Sequence, residues 1–379
     1  MRFVRKYWKM KEFNYTSLSK ISVISKLIFM GLLSVFVMAC TQKLPSSHPD
    51  NEIVVYPDPP DTARIQYLTS FSSSKDVERN RGALKRYVLG EKESRPIIKP
   101  YGAAMFDGKI YLCDLDLEGL EIIDLESGTF EYFLPKGLGK LQLPLNCSFD
   151  SVGNLYVADV KRKQIVVFNK DLEYVNSFSH LENFKPTDVF VTGDSIWVCN
   201  ISDATIDVFR VDSNYTYLFS FPESSSKKEK MYQPTNLFVD DTRVYVSDFG
   251  EFNIKIFDHA GNKITNLGSY GKNLGQFARP KGIAVDKKQN LYVVDAAFEN
   301  IQIFDKQGRL LMFFGGSYRG HGGMWLPAKV AISYDFNSYF KKYVDDRFDL
   351  NYIILVTNNF GPDKVSIYGN VRVKTKGKK

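Results

Sequence analysis

The chain has 379 residues, with 50 Lys and Arg against 43 Asp and Glu, a formal charge of +7. Nearly all of that excess precedes Cys40, where seven basic residues face one acid, Glu12, so the rest of the chain carries about +1. A nucleic-acid binder needs a basic face on its folded part, and a nearly neutral one argues against that class of partner.

Residues 1–39 read as a signal peptide. Arg2, Arg5, Lys6, Lys9, Lys11, Lys20 and Lys26 form a basic lead, and Leu27 to Ala39 is a 13-residue apolar run. Such a run is too short to cross a bilayer and has the length of a signal-peptide core. It ends in Val37-Met38-Ala39-Cys40, which resembles a bacterial lipobox; the resemblance implies that Cys40 is lipidated and becomes the mature N-terminus. A polar, proline-bearing stretch follows, so residues 40–60 are expected to form a flexible tether. Several acyl chains, at about 0.8 kcal/mol per buried CH₂, make a stable anchor. The expected location is the bacterial cell envelope. Thr41 lacks the Asp that retains many such lipoproteins at the inner membrane, which points to the outer one.

Residues 61–373 are expected to fold as one body, with a basic tail at 374–379. Arg64 to Phe71, RIQYLTSF, resembles the strands expected later at Tyr174–Phe178 and Tyr217–Phe221. Lys75 to Pro96 is charged and poor in strand signals, with a short helix expected within Asp76–Leu89. Beyond it one unit recurs, and it is plainest at Phe277–Ser317. Four short β-rich runs are joined there by tight polar turns, the pattern of an antiparallel meander. The opening prolines are Pro100, Pro144, Pro186, Pro234, Pro280 and Pro327, spaced 42 to 48 residues apart. Second strands end at Asp114, Asp159, Asn200, Asp248, Asp295 and Asn358. Six copies of a four-stranded unit at this period mean an all-β, six-bladed β-propeller. After Val365–Gly369 little chain remains for a last strand, so Arg64–Phe71 is expected to complete the sixth blade and close the ring.

Pro280–Asp295, PKGIAVDKKQNLYVVD, resembles the NHL repeat, found in six-bladed propellers. The six copies cover Ile97 to Val373, and the N-terminal pattern is similar to that of a group of bacterial NHL-repeat lipoproteins. NHL copies usually carry Arg just before the third strand, to meet the strand-end acid. This chain departs from that pattern, with Gln164, Thr205, Asn253 and Asn300 at those positions.

Signs of chemistry are sparse. The four histidines, His48, His180, His259 and His321, fall at unlike repeat positions and are not expected to converge as zinc ligands. Lactonase-like propellers hold calcium in the channel; here Asn146, Ser148, Asp188 and Asn236 are the candidate channel-lining polar groups, read as a solvated wall with no Glu among them. Cys113, Cys147 and Cys199 read as small buried residues, and the recurring strand-end acids as caps of turn N–H groups. The sixth copy carries extra residues at Tyr334–Asn351, open to reading as a solvated hairpin or as a docking arm. Phe249, Phe252, Phe298 and Phe360 lie in second-to-third-strand turns of copies four to six, where no repeat-wide pattern asks for an aromatic; they are the candidate partner-binding residues. The expected function is a lipid-anchored, non-catalytic protein-interaction or scaffold module, monomeric and without cofactor, partnered by envelope proteins. The alternative is a metal-dependent hydrolase or lyase with its site in the channel.

Overall fold

The structure, a computed structural model, describes residues 53–78, 93–223 and 230–374. Cys40, the segment before it, most of the tether and residues 375–379 lie outside the described residues. β1 (Val55–Tyr56) and β2 (Ile65–Phe71) come first, then a one-turn helix, α1 (Ser74–Val77), capped at Glu78; residues 79–89 of the expected helix lie outside the described residues. Blade one is β3 (Pro100–Phe106), β4 (Lys109–Asp114), β5 (Gly119–Asp124) and β6 (Thr129–Phe133). Blade two is β7 (Pro144–Phe149), β8 (Leu155–Asp159), β9 (Gln164–Phe168) and β10 (Tyr174–Phe178). Blade three is β11 (Pro186–Thr192), β12 (Ser195–Asn200), β13 (Thr205–Arg210) and β14 (Tyr217–Phe221). Blade four is β15 (Pro234–Val239), β16 (Val244–Asp248), β17 (Asn253–Phe257) and β18 (Lys263–Leu267). Blade five is β19 (Pro280–Val285), β20 (Leu291–Asp295), β21 (Asn300–Phe304) and β22 (Leu310–Gly315). Blade six takes β23 (Pro327–Ser333), β24 (Phe348–Asn358) and β25 (Val365–Val373) from the C-terminal part, then β2 and β1 from the start of the chain.

Every inner strand thus begins on its opening proline, a position where the missing N–H costs the ladder nothing. Every second strand ends on the acid or amide read from the repeat. The core is not central. It is divided into six large apolar clusters, each shared by two neighbouring sheets. Propeller blades bury both faces in this way, and no blade can do so alone.

The ring closes as the sequence predicts: Phe71 pairs with Val365 and Ile65 with Asn370. Two expectations need correction. The tether does not run to residue 60, because β1 adds a fifth strand outside β2 and buries Val54, Val55 and Tyr56. The Tyr334–Asn351 segment is not a solvated hairpin. Its helix α2 (Asn337–Phe340) folds back on the blade, burying Phe336 and Phe340 beside Phe71 and Leu68. The Gln66 side chain fixes the segment at two points, donating to the Tyr343 carbonyl and accepting from the Asp345 N–H at 3.1 Å each. Aromatics alternate with charges there because one side meets the closing strand and the other meets water.

Candidate functional site: the channel and the upper loops

The strand-end residues form the frame on which both faces are hung. Asp248 accepts from the N–H groups of Tyr232, Gln233 and Gly250, and Asp114, Asp159 and Asp295 do the same in their blades. Each ties its own turn to the strand leading into the blade, so the repetition is structural. The face carrying these turns is called upper below.

A second repeated position sits beside them, in the third strand, and here the blades diverge. It holds Glu121, Val166, Asp207, Lys255, Gln302 and Ser366, each paired in register with the apolar residue two before the strand-end group. In blade four Lys255, 1% exposed, pairs with Asp248 at 3.7 Å and with Glu251. This lysine supplies the cation that the Arg-less repeat lacks, from a position two residues further on. In blade three Asp207 accepts from Asn200 at 2.9 Å, and in blade six Ser366 meets Asn358 at 3.1 Å. In blade one both Glu121 and Asp114 are fully buried, and neither Glu121 carboxyl oxygen has a hydrogen-bond partner. Burial first, then the Asp114 charge, pushes the Glu121 carboxyl up to about 10. Glu121 is a neutral acid at pH 7.

The channel is built from one register position, two residues after each opening proline: Gly102, Asn146, Asp188, Asn236, Gly282 and Lys329. The two glycines stand where the next inner strand comes closest; a Cβ on Gly102 would lie 2.3 Å from the Leu145 carbonyl oxygen, and one on Gly282 would lie 2.6 Å from that of Ala328. The other four meet in the middle. Lys329 of blade six reaches Asp188 of blade three, the blade opposite, with Nζ 2.8 Å from Oδ2. The same carboxylate accepts from the Leu237 N–H at 3.1 Å, the Asn236 amide at 3.3 Å and the Val189 N–H at 2.9 Å. Asn146 donates to the Thr187 carbonyl at 2.8 Å. Asn146, Asp188 and Asn236 are at most 1% exposed, so they are not the solvated wall read from the sequence. They are a buried polar plug, because an ammonium from the facing blade takes up the acid's charge. Ser148 is half-buried below the plug and accepts from the Val191 N–H at 3.3 Å. Lys329 was not legible as a site residue, since an ammonium is no metal ligand; the signal that singles it out is its register, two residues after Pro327.

Above the plug, Lys281 lies over the Tyr101 ring, 4.8 Å from its centroid, and burial, with Arg279 nearby, lowers its ammonium to about 8. Below it the channel opens into a cavity of 670 Å³ touched by all six inner strands.

The histidines lie apart from the channel plug. His180 stacks on Tyr217, His321 on Tyr67, and His259 Nε2 contacts the Asp240 carbonyl at 2.8 Å. His48 lies outside the described residues. Cys113, Cys147 and Cys199 are buried thiols. Among the described residues no group of three His, Cys, Asp or Glu side chains has the spacing of a metal site.

On the upper face Phe249 and Phe252 lie 6.3 Å apart by ring centroid, and Phe252 lies 4.8 Å from Tyr270, which is 67% exposed. Phe298 is half-buried; Phe360 is 53% exposed, with the Lys99 ammonium 5.7 Å from its ring. Phe252 holds φ +57°, as do Glu118, Lys163, Ala204 and Glu299 within a few degrees in the matching turns. The neighbouring acids are already in use by the fold: Glu251 pairs with Lys255, Glu299 accepts from the Leu326 N–H, and Asp363 from the Ser70 hydroxyl.

The architecture defines a six-bladed β-propeller, and solved propellers resemble it. A streptogramin B lyase is 14% identical, with a TM-score of 0.50 over 73% of this chain and 84% of that one. A structural-genomics protein of unknown function from Bacteroides thetaiotaomicron VPI-5482 is 14% identical, with a TM-score of 0.55 over 82% of this chain and 77% of the other. At this identity the likeness is one of fold alone. No family model matches the chain, and no curated protein does.

Proposed function

We propose that this chain is an exported, lipid-anchored propeller of the NHL type that works by binding an envelope protein, as a monomer, and not by catalysis. The observation that carries the non-catalytic reading is the Lys329–Asp188 pair. A channel metal would need the Asp188 carboxylate, and Lys329, two backbone N–H groups and the Asn236 amide already take up both of its oxygens. What would be left is two amide oxygens, of Asn146 and Asn236, a poor set for zinc and a thin one for calcium. These residues do not fit a divalent cation.

Support for the anchor is the Val37–Cys40 motif behind a basic lead and a short apolar run. Support for the binding face is the Phe249–Phe252–Tyr270 group. A left-handed turn favours glycine over an aromatic, and among the described rings Phe252 meets only Phe249 and the exposed Tyr270, so its presence is better explained by contact with a partner. Co-purification from native membranes tests the reading. The unaltered chain should recover a protein partner that a Phe252→Gly, Phe298→Ser chain of equal stability does not; equal recovery by both would move the partner off this face.

A further inference from the structure

A cavity of 670 Å³ lies beneath the plug. We propose that it is a binding site for a small aromatic carboxylate. The wall is apolar and supplied by every blade in turn: Phe106, Phe149, Phe190, Phe238, Val285 and Ile332 all line it and are all half-buried. The four rings pair across blade boundaries, Phe106 on Phe149 at 4.7 Å and Phe190 on Phe238 at 5.0 Å between centroids. A cavity of 670 Å³ with such walls takes a ligand of one or two fused rings.

The plug, at the closed end, selects the charge. Lys329 lines the cavity, and its ammonium carries three donors of which one is used, on Asp188. Asp188, in contrast, is fully engaged: two backbone N–H groups and an amide share its charge with the lysine. The spare N–H groups at the plug therefore suit an oxygen acceptor that arrives from the cavity, and a charge-assisted bond favours a carboxylate over a neutral oxygen. Four acids line the rim, and none pairs with Lys329: Asp241 is exposed to solvent, and Asp150, Asp240 and Asp286 are held in their own turns. Each of these three is bound by the N–H groups of its own turn and by a tyrosine hydroxyl.

The test is calorimetric titration of the full chain in detergent with three probes of one shape: 2-naphthoate, 2-naphthylmethanol and 2-naphthylmethylammonium. Naphthoate should bind saturably, about tenfold tighter than the alcohol, and the ammonium least of all. Phe238→Ala should weaken naphthoate and the alcohol alike, by about tenfold. Lys329→Met combined with Asp188→Asn removes both charges at little change in volume and should bring naphthoate down to the level of the alcohol. Three results would overturn the proposal: no saturable binding of naphthoate, tighter binding of the ammonium, or a double variant that still prefers the acid. Should the double variant fail to melt cooperatively, the order of the three probes on the unaltered chain and the Phe238→Ala result decide the matter.

Discussion

Blade one and blade four use the same backbone for opposite electrostatics. Glu121 and Lys255 occupy one register position, both beside a buried strand-end Asp, and both essentially out of water. Blade four brings a cation to the acid; blade one brings a second acid, which stays protonated. The repeat therefore specifies strands, turns and caps, while the charge buried between them is settled blade by blade. The channel extends the lesson across the ring, where Asp188 finds its cation three blades away, in Lys329.

Breaking the cross-channel pair should have the largest effect. Lys329→Met should destabilise the chain by about 3–5 kcal/mol, because Asp188 is left buried with its charge uncompensated; the double change with Asp188→Asn should recover most of the loss. Urea titrations followed by circular dichroism measure both. Equal midpoints for the single and double variants would mean that Asp188 does not need Lys329.

Lys255→Met should cost less, about 3 kcal/mol, since Asp248 keeps its three N–H donors and Glu251, at 34% side-chain exposure, can turn to water. The counterpart in blade one should behave in the other sense. The folded state holds the Glu121 proton up to about pH 10, against an ordinary value of 4.5. Stability from this group is full below pH 4.5 and is lost as pH rises toward 10, with a slope of at most about 1.4 kcal/mol per pH unit. Glu121→Gln should be tolerated and should flatten that slope. Melting temperatures between pH 5 and 9 would show it; parallel curves for the two proteins would contradict a neutral Glu121.

The smallest effect is expected on the upper face. Phe252→Gly relieves a left-handed phenylalanine and loses its contacts with Tyr270 and Phe249, so stability should change by less than about 1 kcal/mol. A larger loss would make this ring part of the packing and not of a binding face. The anchor is tested apart from the fold: Cys40→Ser should give an exported chain that carbonate releases from membranes.

The repeat made the ring legible. Prolines, strand-end acids and the closing strand all fall where periodicity puts them, because each answers a backbone need that recurs six times. What occurs once was not legible in the same way. The β1 strand lay in a stretch that reads as tether, being only two residues long and proline-flanked. The Tyr334–Asn351 fold and the Lys329–Asp188 pair depend on neighbours far off in sequence, at |i−j| of 141 for the pair. Asn146, Asp188 and Asn236 were legible as polar residues of the inner strands; Lys329 shares their register, but an ammonium is no metal ligand and did not stand out beside them.

Metal binding by the full chain decides whether Asp188 is a ligand or the partner of Lys329. Equilibrium dialysis against calcium and against zinc should leave no stoichiometric ion on the unaltered protein, since the Lys329 ammonium already neutralises Asp188. One ion retained per chain, lost in Asp188→Asn together with hydrolysis of a generic lactone or ester, would contradict the account and make the channel a catalytic metal site.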